Sequence, residues 1–432
     1  MAVLITGGAG YIGSHTCTEL LEAGREIIVA DRPEHAPVIE RLRTVFGRNV
    51  TFHPLDPLDR RGLERIFGQY GIEAVIHFAG IRPLMEHQRA HLPIAWTVNL
   101  CDVMQRHGVR RLVFSSSAAV YGRPRQTPVP ETAPLGAANR YGRTMLMIEE
   151  ILHDLYEADR KWSIVLLRNF NPAGAHPSGW IDAEALRDGR KRDGDGCGGT
   201  MDGGRDGVRT GEESGDARAG GGIGGETGIA NASARIALPE SARTGEAGAA
   251  REPAANGHQP CAACDAGTIG SDPDDRDQPH LFPRLMRIAA RRRGELPIYG
   301  GDYPTRDGTC VRDYVHVKDL ARAHLKALDK VASETGIDAF NLGSGVGYTV
   351  LEVVAAFEKA SGVEIPRRIV ERRPGDAPAI CADPSKAQRE LGWRAELGLD
   401  RMCEDALKWL RRRMAGPDPG ARVSLGAGGM AG

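Results

Sequence analysis

The sequence predicts an α/β fold in which helices cover both faces of a parallel β-sheet. Segments of strand length that are apolar on both faces alternate with segments of helical periodicity, as such a sheet requires. The predicted strands are VLIT (3–6), EIIVAD (26–31), AVIHFAG (74–80), RLVFSSS (111–117) and SIVLLRNF (163–170). Short connections and right-handed crossovers favour a doubly wound, Rossmann-type sheet, and we assign it to residues 1–180.

A glycine-rich turn follows the first predicted strand and opens a helix. In TGGAGYIG, the glycines Gly7, Gly10 and Gly13 are spaced three apart. Gly8, Gly10 and Gly13 also satisfy the pattern G-x-G-x-x-G. Glycine is needed there because only a backbone without side chains lets a pyrophosphate approach the helix N-terminus and its amide dipoles. With a strand before it and a helix after it, the turn predicts a dinucleotide site.

Acidic residues after the next strands refine the expected cofactor. Asp31 ends the second predicted strand, where a carboxylate accepts hydrogen bonds from the adenosine ribose hydroxyls, which favours NAD. Arg32 beside it is a residue type that pairs with the 2′-phosphate of the alternative cofactor. Asp56 is a candidate for the adenine, and HFAG (77–80) closes a strand near the cofactor. A capping or turn role is an equally good interpretation of both.

The chain changes character at residues 181–274, which are rich in Gly, Asp, Arg and Ala and nearly free of aromatic residues. Such a segment cannot bury enough apolar surface to offset the entropy of ordering, so we predict a disordered insertion. Within it, Cys261 and Cys264 form CAAC, downstream of His258. The pair lacks the spacing of a four-ligand zinc site and the βαβ setting of a redox dithiol, so no metal is predicted.

Strand and helix patterns resume over residues 275–415. We assign this stretch to a smaller α/β substrate-binding portion, part of which packs back on the first sheet. Residues 416–432 are expected to form a flexible tail.

Composition excludes several classes of protein. The chain has 432 residues, 41% hydrophobic and 26% charged, with a formal net charge of −1. These values are ordinary for a soluble protein and offer no general attraction to nucleic acid or anionic membranes. No apolar run approaches the roughly 18 residues of a membrane span. The N-terminus carries no secretion signal and the eight cysteines are scattered, so we expect a cytoplasmic protein with reduced thiols.

Six motifs together resemble the UDP-glucose 4-epimerases, a family of extended short-chain dehydrogenases/reductases. They are TGGAGYIGSHT, HFAG, FSSSAAVYG, YGRTMLMIEEIL, LRNFNPAGAHPSG and DYPTRDGTCVRDYVHVKDLA. The resemblance covers roughly residues 1–180 and 275–410. It implies tightly bound NAD, a homodimer, and interconversion of UDP-glucose and UDP-galactose through a 4-keto intermediate.

The resemblance also implies roles for single residues. Tyr141 corresponds to the base that takes the proton from the sugar 4-hydroxyl, and Ser117 to the hydroxyl that hydrogen-bonds the same oxygen. The implied NAD contacts are Tyr11, Ile12, Asp31, Asp56, Phe78, Ala79, Gly80, Arg82 and Phe170. The implied nucleotide-sugar contacts are Asn171, Leu281, Arg312, Arg373 and Asp376. The two arginines suit a diphosphate because guanidinium groups bind it with paired hydrogen bonds.

One departure from the family concerns the catalytic chemistry. Met145 stands one helical turn after Tyr141, where the family has a lysine that holds the nicotinamide ribose and stabilises the phenolate. A free tyrosine has a pKa near 10, so only about one part in a thousand is ionised at pH 7. Methionine fills a similar volume but supplies neither charge nor donor. We therefore expect impaired turnover.

Smaller departures from the family pattern also favour impaired turnover or bear on the choice of substrate. The segment after HFAG is about five residues shorter than in the family, and His280 replaces an asparagine that contacts substrate. Asn169 replaces a tyrosine, and Arg82 replaces a lysine with its charge kept. Ile380 occupies a position tied to tolerance of N-acetylated sugars, and its bulk favours the plain hexose.

Two other functions compete with epimerisation. A non-catalytic protein that binds NAD or a nucleotide sugar would keep the scaffold and tolerate Met145. A 4,6-dehydratase should carry an Asp-Glu pair after the catalytic hydroxyl residue, but this chain has Ala118 and Ala119. The dehydratase is therefore disfavoured.

Overall fold

The computed structural model describes residues 2–47, 50–56, 58–78, 92–181, 281–373 and 375–415. Apart from Ile181, the predicted insertion at 181–274 lies outside the described residues, as do the CAAC pair and the tail from residue 416.

Helices and strands alternate along the described chain. The strands are β1 (Ala2–Thr6), β2 (Glu26–Asp31), β3 (Thr51–Pro54), β4 (Ile72–His77), β5 (Arg111–Ser117), β6 (Ser163–Asn169), β7 (Asn171–Ala173), β8 (Leu296–Tyr299), β9 (Val311–His316), β10 (Gly336–Leu342), β11 (Gly347–Thr349), β12 (Arg367–Val370) and β13 (Ala379–Ile380). The α-helices are α1 (Tyr11–Glu22), α2 (Ala36–Phe46), α3 (Arg60–Gln69), α4 (Leu92–Arg106), α5 (Arg140–Ala158), α6 (Leu281–Arg291), α7 (Val317–Ser333), α8 (Val350–Ser361), α9 (Ser385–Glu390) and α10 (Leu399–Met414). Short 3-10 helices span Pro33–His35 and Ala118–Tyr121.

Seven strands form one parallel sheet in the order β10-β6-β5-β4-β1-β2-β3. Every residue of β1 and of β6 is buried, because helices cover both faces of the sheet. Helices α1, α2 and α7 pack as one group, and α3, α4 and α5 as another. The predicted doubly wound, Rossmann-type α/β fold is therefore confirmed.

The strand order places the predicted site. From β1 the sheet is built outward on one side by β2 and β3 and on the other side by β4, β5 and β6, so the strand order reverses between β1 and β4. Ligands of such folds bind beyond the carboxyl ends of the strands at this point. Register brings the ends of these strands level: Thr6 of β1 pairs with His77 of β4 and Ala30 of β2. The glycine turn after β1 therefore lies next to the segments that follow β2 and β4.

A second, smaller assembly comes from the later part of the chain. Strand β9 is at its centre, pairing with β7 and β13 in parallel and with β11 in antiparallel orientation. Strands β8 and β12 form a separate parallel pair, and helices α6, α8 and α10 enclose a second apolar core. Strand β10, from the same part of the chain, instead pairs with β6 and completes the main sheet.

Candidate active site

The glycine turn between β1 and α1 is shaped by close backbone contacts. Gly7 has φ +72°, in the left-handed region that favours glycine. A Cβ on Gly13 would lie 2.5 Å from the carbonyl oxygen of Gly7 and 2.8 Å from the Cα of Gly8. The first turn of α1 can therefore pack against residues 7 and 8 only because Gly7 and Gly13 have no side chains. This is the compact strand–turn–helix geometry that admits a pyrophosphate.

The N-terminus of α1 completes the candidate pyrophosphate site. Gly10 is the N-cap residue and provides no side-chain cap, and the first turn of the helix carries no acidic side chain. Anions are favoured at such an end because amide N–H groups and the helix dipole present positive charge there. Tyr11 anchors the helix start through a hydrogen bond from its hydroxyl to the carbonyl of Gly174 at 2.7 Å, and Ile12 packs on the main core. The turn therefore fits a dinucleotide diphosphate.

Asp31 is held firmly at the end of β2. Its Oδ2 accepts a hydrogen bond from the Ala9 amide at 2.9 Å, and its Oδ1 accepts one from the Arg32 amide at 2.8 Å. His35 Nδ1 lies 2.7 Å from the same Oδ1. A carboxylate offers about four acceptor positions, so Oδ2 retains capacity for one ribose hydroxyl. His35 escaped the sequence analysis, although a histidine four residues after the acid was a usable signal.

Arg32 is engaged locally in a way that suits NAD. Its guanidinium pairs with Glu34 at 3.1 Å and lies 3.3 Å from His35 Nε2. A nearby carboxylate already balances this charge, so an additional 2′-phosphate is not needed to satisfy it.

Asp56 is exposed and occupied by its own turn. Its Oδ1 accepts the Leu58 amide at 2.8 Å, and its carbonyl accepts the Asp59 amide at 2.9 Å. The turn role that competed with adenine binding is thus visible at this residue. A contact with the adenine remains a prediction.

Two aromatic residues of the predicted cofactor site lie at strand ends. Phe78, directly after β4, is buried and stacks on His324 with ring centroids 4.9 Å apart. Phe170 follows β6 and is also buried. The remaining predicted contacts on this side, Ala79, Gly80 and Arg82, lie outside the described residues.

The predicted catalytic residues lie on adjoining segments at the carboxyl end of β5. Ser117 is the last residue of β5, and its Oγ accepts the Ala119 amide at 3.2 Å. Asn139 caps α5 by accepting the Gly142 amide at 2.8 Å, which starts the helix one residue before Tyr141. A side chain at Gly142 would overlap the Ala119 carbonyl oxygen. Glycine beside Tyr141 therefore lets the first turn of α5 pack against the segment that follows Ser117.

Met145 is completely buried in the main core, four residues after Tyr141 on the same helix. Tyr141 itself is partly buried and packs against the same core. The thioether therefore acts as a core side chain here, with no charge to offer the phenol.

A buried polar network, which the sequence patterns did not predict, connects α5 to the sheet. The Glu149 carboxylate of α5 accepts the Ser116 hydroxyl at 2.5 Å and the Arg168 guanidinium at 2.8 Å. Arg168 also donates to the Tyr121 hydroxyl at 2.8 Å, and that hydroxyl donates to Asn341 Oδ1 at 2.7 Å. The network joins four elements, since Glu149 lies in α5, Ser116 in β5, Arg168 in β6 and Asn341 in β10.

Asn169 contacts Ser116, a member of this network. Its amide donates to the Ser115 hydroxyl and to the Ser116 carbonyl, each at 2.9 Å. The residue that departs from the family pattern thus ties β6 to the end of β5.

The predicted diphosphate arginines, Arg312 and Arg373, are connected through Asp376. Arg312 donates to the Ala377 carbonyl at 2.8 Å and lies 3.6 Å from the Asp376 carboxylate. The Asp376 amide donates to the Arg373 carbonyl at 3.2 Å, which links the second arginine to the first.

Tyr299 was missed by the sequence analysis, because nothing in its spacing relates it to residue 373. The β8–β12 pairing sets Tyr299 beside Val370, and the Arg373 guanidinium carbon lies 3.7 Å from the centroid of its ring. The hydrogen bond from Arg373 lowers the pKa of Tyr299.

The other predicted substrate contacts flank these arginines. The Asn171 side-chain amide donates to the Asp313 carbonyl at 2.8 Å, next to Arg312. Ile380 pairs in register with Arg312, and Leu281 begins α6 and packs against the second core. His280 lies outside the described residues.

The described residues offer neither a membrane-spanning helix nor a metal site. None of the helices in the described ranges is long and apolar enough to cross a membrane. Across the same ranges, no group of three or more His, Cys, Asp or Glu side chains is arranged to hold a metal ion.

A parallel, doubly wound sheet with a glycine turn after β1, an acid at the end of β2 and a Ser/Tyr pair at the strand ends is typical of the extended short-chain dehydrogenases/reductases. The family model described as "NAD dependent epimerase/dehydratase family" matches residues 3–188, and that described as "GDP-mannose 4,6 dehydratase" matches residues 275–406. UDP-glucose 4-epimerase of Bacillus subtilis (strain 168) is 41% identical over 416 residues, covering 95% of this chain and 96% of the relative. The chain belongs to the UDP-glucose 4-epimerase family, and its cofactor is NAD.

Further relatives and solved structures agree with this assignment. The human UDP-glucose 4-epimerase is 38% identical over 428 residues, covering 96% of this chain and 97% of the relative. The crystal structure of the Bifidobacterium longum UDP-glucose 4-epimerase in complex with NAD+ and UDP has a TM-score of 0.70 and 32% identity. That comparison covers 96% of this chain and 100% of the other. A UDP-glucose-4-epimerase from Stenotrophomonas maltophila has a TM-score of 0.71 and 34% identity, covering 96% of this chain and 100% of the other.

Proposed function

We propose that this protein interconverts UDP-glucose and UDP-galactose, using NAD. The observation that carries the proposal is the packing of α5 on the segment after β5, which sets Tyr141 and Ser117 on adjoining segments at the carboxyl end of the sheet. The glycine turn of the cofactor site lies at the same end of that sheet. Arg312 and Arg373 provide two guanidinium groups for the UDP diphosphate.

In this proposal the chain's own residues move one proton and orient the sugar. Tyr141 takes the proton from the sugar 4-hydroxyl, and Ser117 donates a hydrogen bond to the same oxygen. NAD, when bound, supplies a reversible acceptor for the hydride of sugar C4. The resulting 4-keto sugar turns within the site and is reduced on its other face, and Tyr141 returns the proton. The diphosphate contacts hold the nucleotide while the hexose turns.

Turnover is expected to be impaired by Met145. Ionising Tyr141 places a negative charge in the site, and a nearby cation favours that charged form. The buried thioether of Met145 provides none. Met145 therefore contributes nothing to the stabilisation of the Tyr141 phenolate.

Replacing Tyr141 by phenylalanine is the direct test of the chemistry. The variant retains the ring that packs on the core but has no group to accept the proton, so epimerisation should fall by at least about 10²-fold. The measurement is conversion of UDP-galactose to UDP-glucose by concentrated NAD-loaded protein over long incubations.

Tyr156→Phe is a matched control, because Tyr156 lies on the same helix but stacks with Arg160. It should leave the rate unchanged. Equal rates in the parent and Tyr141→Phe would rule out the assigned base.

A non-catalytic binding protein is the second candidate, and the complete burial of Met145 favours it. Such a protein would bind NAD and UDP-galactose and show no conversion at any protein concentration. Binding of both ligands without turnover, in the parent and in the lysine variant described below, would select this candidate.

We further propose that the protein is a homodimer. Val98 on α4 and Met147 on α5 are 46% and 44% exposed, although both are large and apolar, and their helices pack side by side. Changing both residues to glutamate should halve the molecular mass measured by light scattering. Val346→Glu, at a residue exposed to a similar extent (50%), is the control and should leave the mass unchanged. A parent that is already monomeric would contradict the proposal.

A further inference from the structure

Asp313 follows Arg312, a predicted nucleotide-sugar contact, in β9. Its side chain is completely buried in β9, next to Arg312. Oδ1 accepts hydrogen bonds from the Ser344 amide at 2.8 Å and the Ser344 hydroxyl at 2.6 Å. Oδ2 accepts hydrogen bonds from the amides of Gly345 and Ala382, each at 3.0 Å. All four acceptor positions of an ionised carboxylate are therefore used.

The partners of Asp313 belong to segments that carry or adjoin the predicted substrate contacts. Ala382 comes two residues after Ile380, which pairs with Arg312. The main-chain carbonyl of Asp313 accepts the side-chain amide of Asn171 at 2.8 Å. A Cβ on Gly343 would lie 2.6 Å from Oδ2 of Asp313, so glycine is required for the turn at 343–345 to approach. One residue thus joins β7, β9, this turn and the segment after β13.

The charge of this residue matters because every partner of its carboxylate is a donor. Burial raises the pKa of Asp313, and the four donated hydrogen bonds oppose that rise by favouring the ionised form. An asparagine has the same shape, but its NH₂ group would face the amides of Gly345 and Ala382 or the two donors of Ser344. Either orientation sets donor against donor and loosens at least one segment.

We infer that Asp313 is a positioning residue that fixes Arg312, Asn171 and the 380–382 segment in one arrangement for binding the nucleotide sugar. This inference rests on the proposed function, in which Arg312 and Asn171 contact the substrate. Asp313 touches no substrate atom itself. It acts through the residues that it holds. Shifts of about 1 Å in residues that position a substrate can lower the reaction rate by on the order of 10²-fold.

Asp319 provides a matched control within the same region of the chain. It is equally buried, and its Oδ2 accepts the amides of Glu396 and Leu397 at 2.9 Å and 2.8 Å. The segment that it holds carries no predicted site residue. Asp319→Asn should therefore lower stability as Asp313→Asn does, but should leave ligand affinity unchanged.

The experiment measures UDP binding by calorimetry in the NAD-loaded parent and in both variants. We expect Asp313→Asn to weaken UDP binding by about 10- to 100-fold with NAD content unchanged, and Asp319→Asn to bind UDP like the parent. In turnover assays, the KM of Asp313→Asn for UDP-galactose should rise far more than its kcat falls. If Asp313→Asn does not fold, Ser344→Ala removes one donor and should weaken UDP binding about threefold or more.

Three results would overturn the inference. UDP binding at parental affinity in Asp313→Asn or, if that variant does not fold, in Ser344→Ala would show that the carboxylate does not position the subsite, while the proposed function would stand. An equal loss in Asp319→Asn would show that general destabilisation is the cause. A parent that binds no UDP would remove the proposed function, and the inference with it.

Discussion

Replacing Met145 by lysine is expected to raise the rate of UDP-galactose epimerisation by about 10²- to 10⁴-fold. The new ammonium group would lie one helical turn from Tyr141, where a cation lowers the pKa of the phenol and donates hydrogen bonds to the cofactor ribose. The measurement is kcat for UDP-galactose, taken for the parent and the variant with equal NAD content. The rate should also become less dependent on pH between 7 and 9, because more of the phenol is already ionised.

The same substitution should lower stability when NAD is absent. Met145 is completely buried, and a lysine there has no acidic partner on the preceding or the following turn of α5, where Tyr141 and Glu149 stand and Glu149 is paired with Arg168. We expect a lower melting temperature without NAD and partial recovery when NAD is added. Met145→Leu preserves the apolar packing without a cation and should leave the rate near that of the parent. Equal rates for the lysine and leucine variants would contradict the catalytic role assigned to this position.

Replacing Glu149 by leucine is expected to lower the free energy of unfolding by about 3–5 kcal/mol. Arg168 is 4% exposed and donates to the Glu149 carboxylate through both Nε and Nη2, so the substitution leaves a buried guanidinium without its counter-ion. The Ser116 hydroxyl loses its acceptor at the same time. Chemical denaturation followed by circular dichroism measures the loss.

Two further variants separate the ion pair from simple packing. Glu149→Leu combined with Arg168→Met removes both charges and should recover much of the stability, because no unpaired charge stays buried. The exposed pair Arg25–Asp329 provides the contrast, with side chains 46% and 51% exposed. Asp329→Asn should cost less than about 1 kcal/mol. Similar losses for Asp329→Asn and Glu149→Leu would contradict the importance of burial.

Local patterns in the sequence predicted the first strands, the glycine turn and the helix that follows it. The glycine turn, Asp31 and the first strands are encoded by residues close together in the chain, so spacing alone places them. The sequence also places Met145 one helical turn after Tyr141, and α5 contains both residues because it begins at Arg140, where Asn139 caps it.

The support behind the site could not be predicted in this way. The four hydrogen bonds to the carboxylate of Asp313 come from residues 31, 32 and 69 positions away, and Glu149 of α5 pairs with Arg168 of β6. No periodicity relates such positions, because tertiary packing alone brings them together. The contact of Tyr299 with Arg373 depends in the same way on the pairing of β8 with β12.

Strand β10 has a consequence for how the protein is made. As the nascent chain leaves the ribosome, β6 emerges long before its outer neighbour, since the two strands occupy residues 163–169 and 336–342. All seven residues of β6 are buried in the finished sheet. Until β10 arrives, this apolar strand is an open edge, and such edges pair readily with other chains. A fragment that ends between these two strands is therefore expected to aggregate.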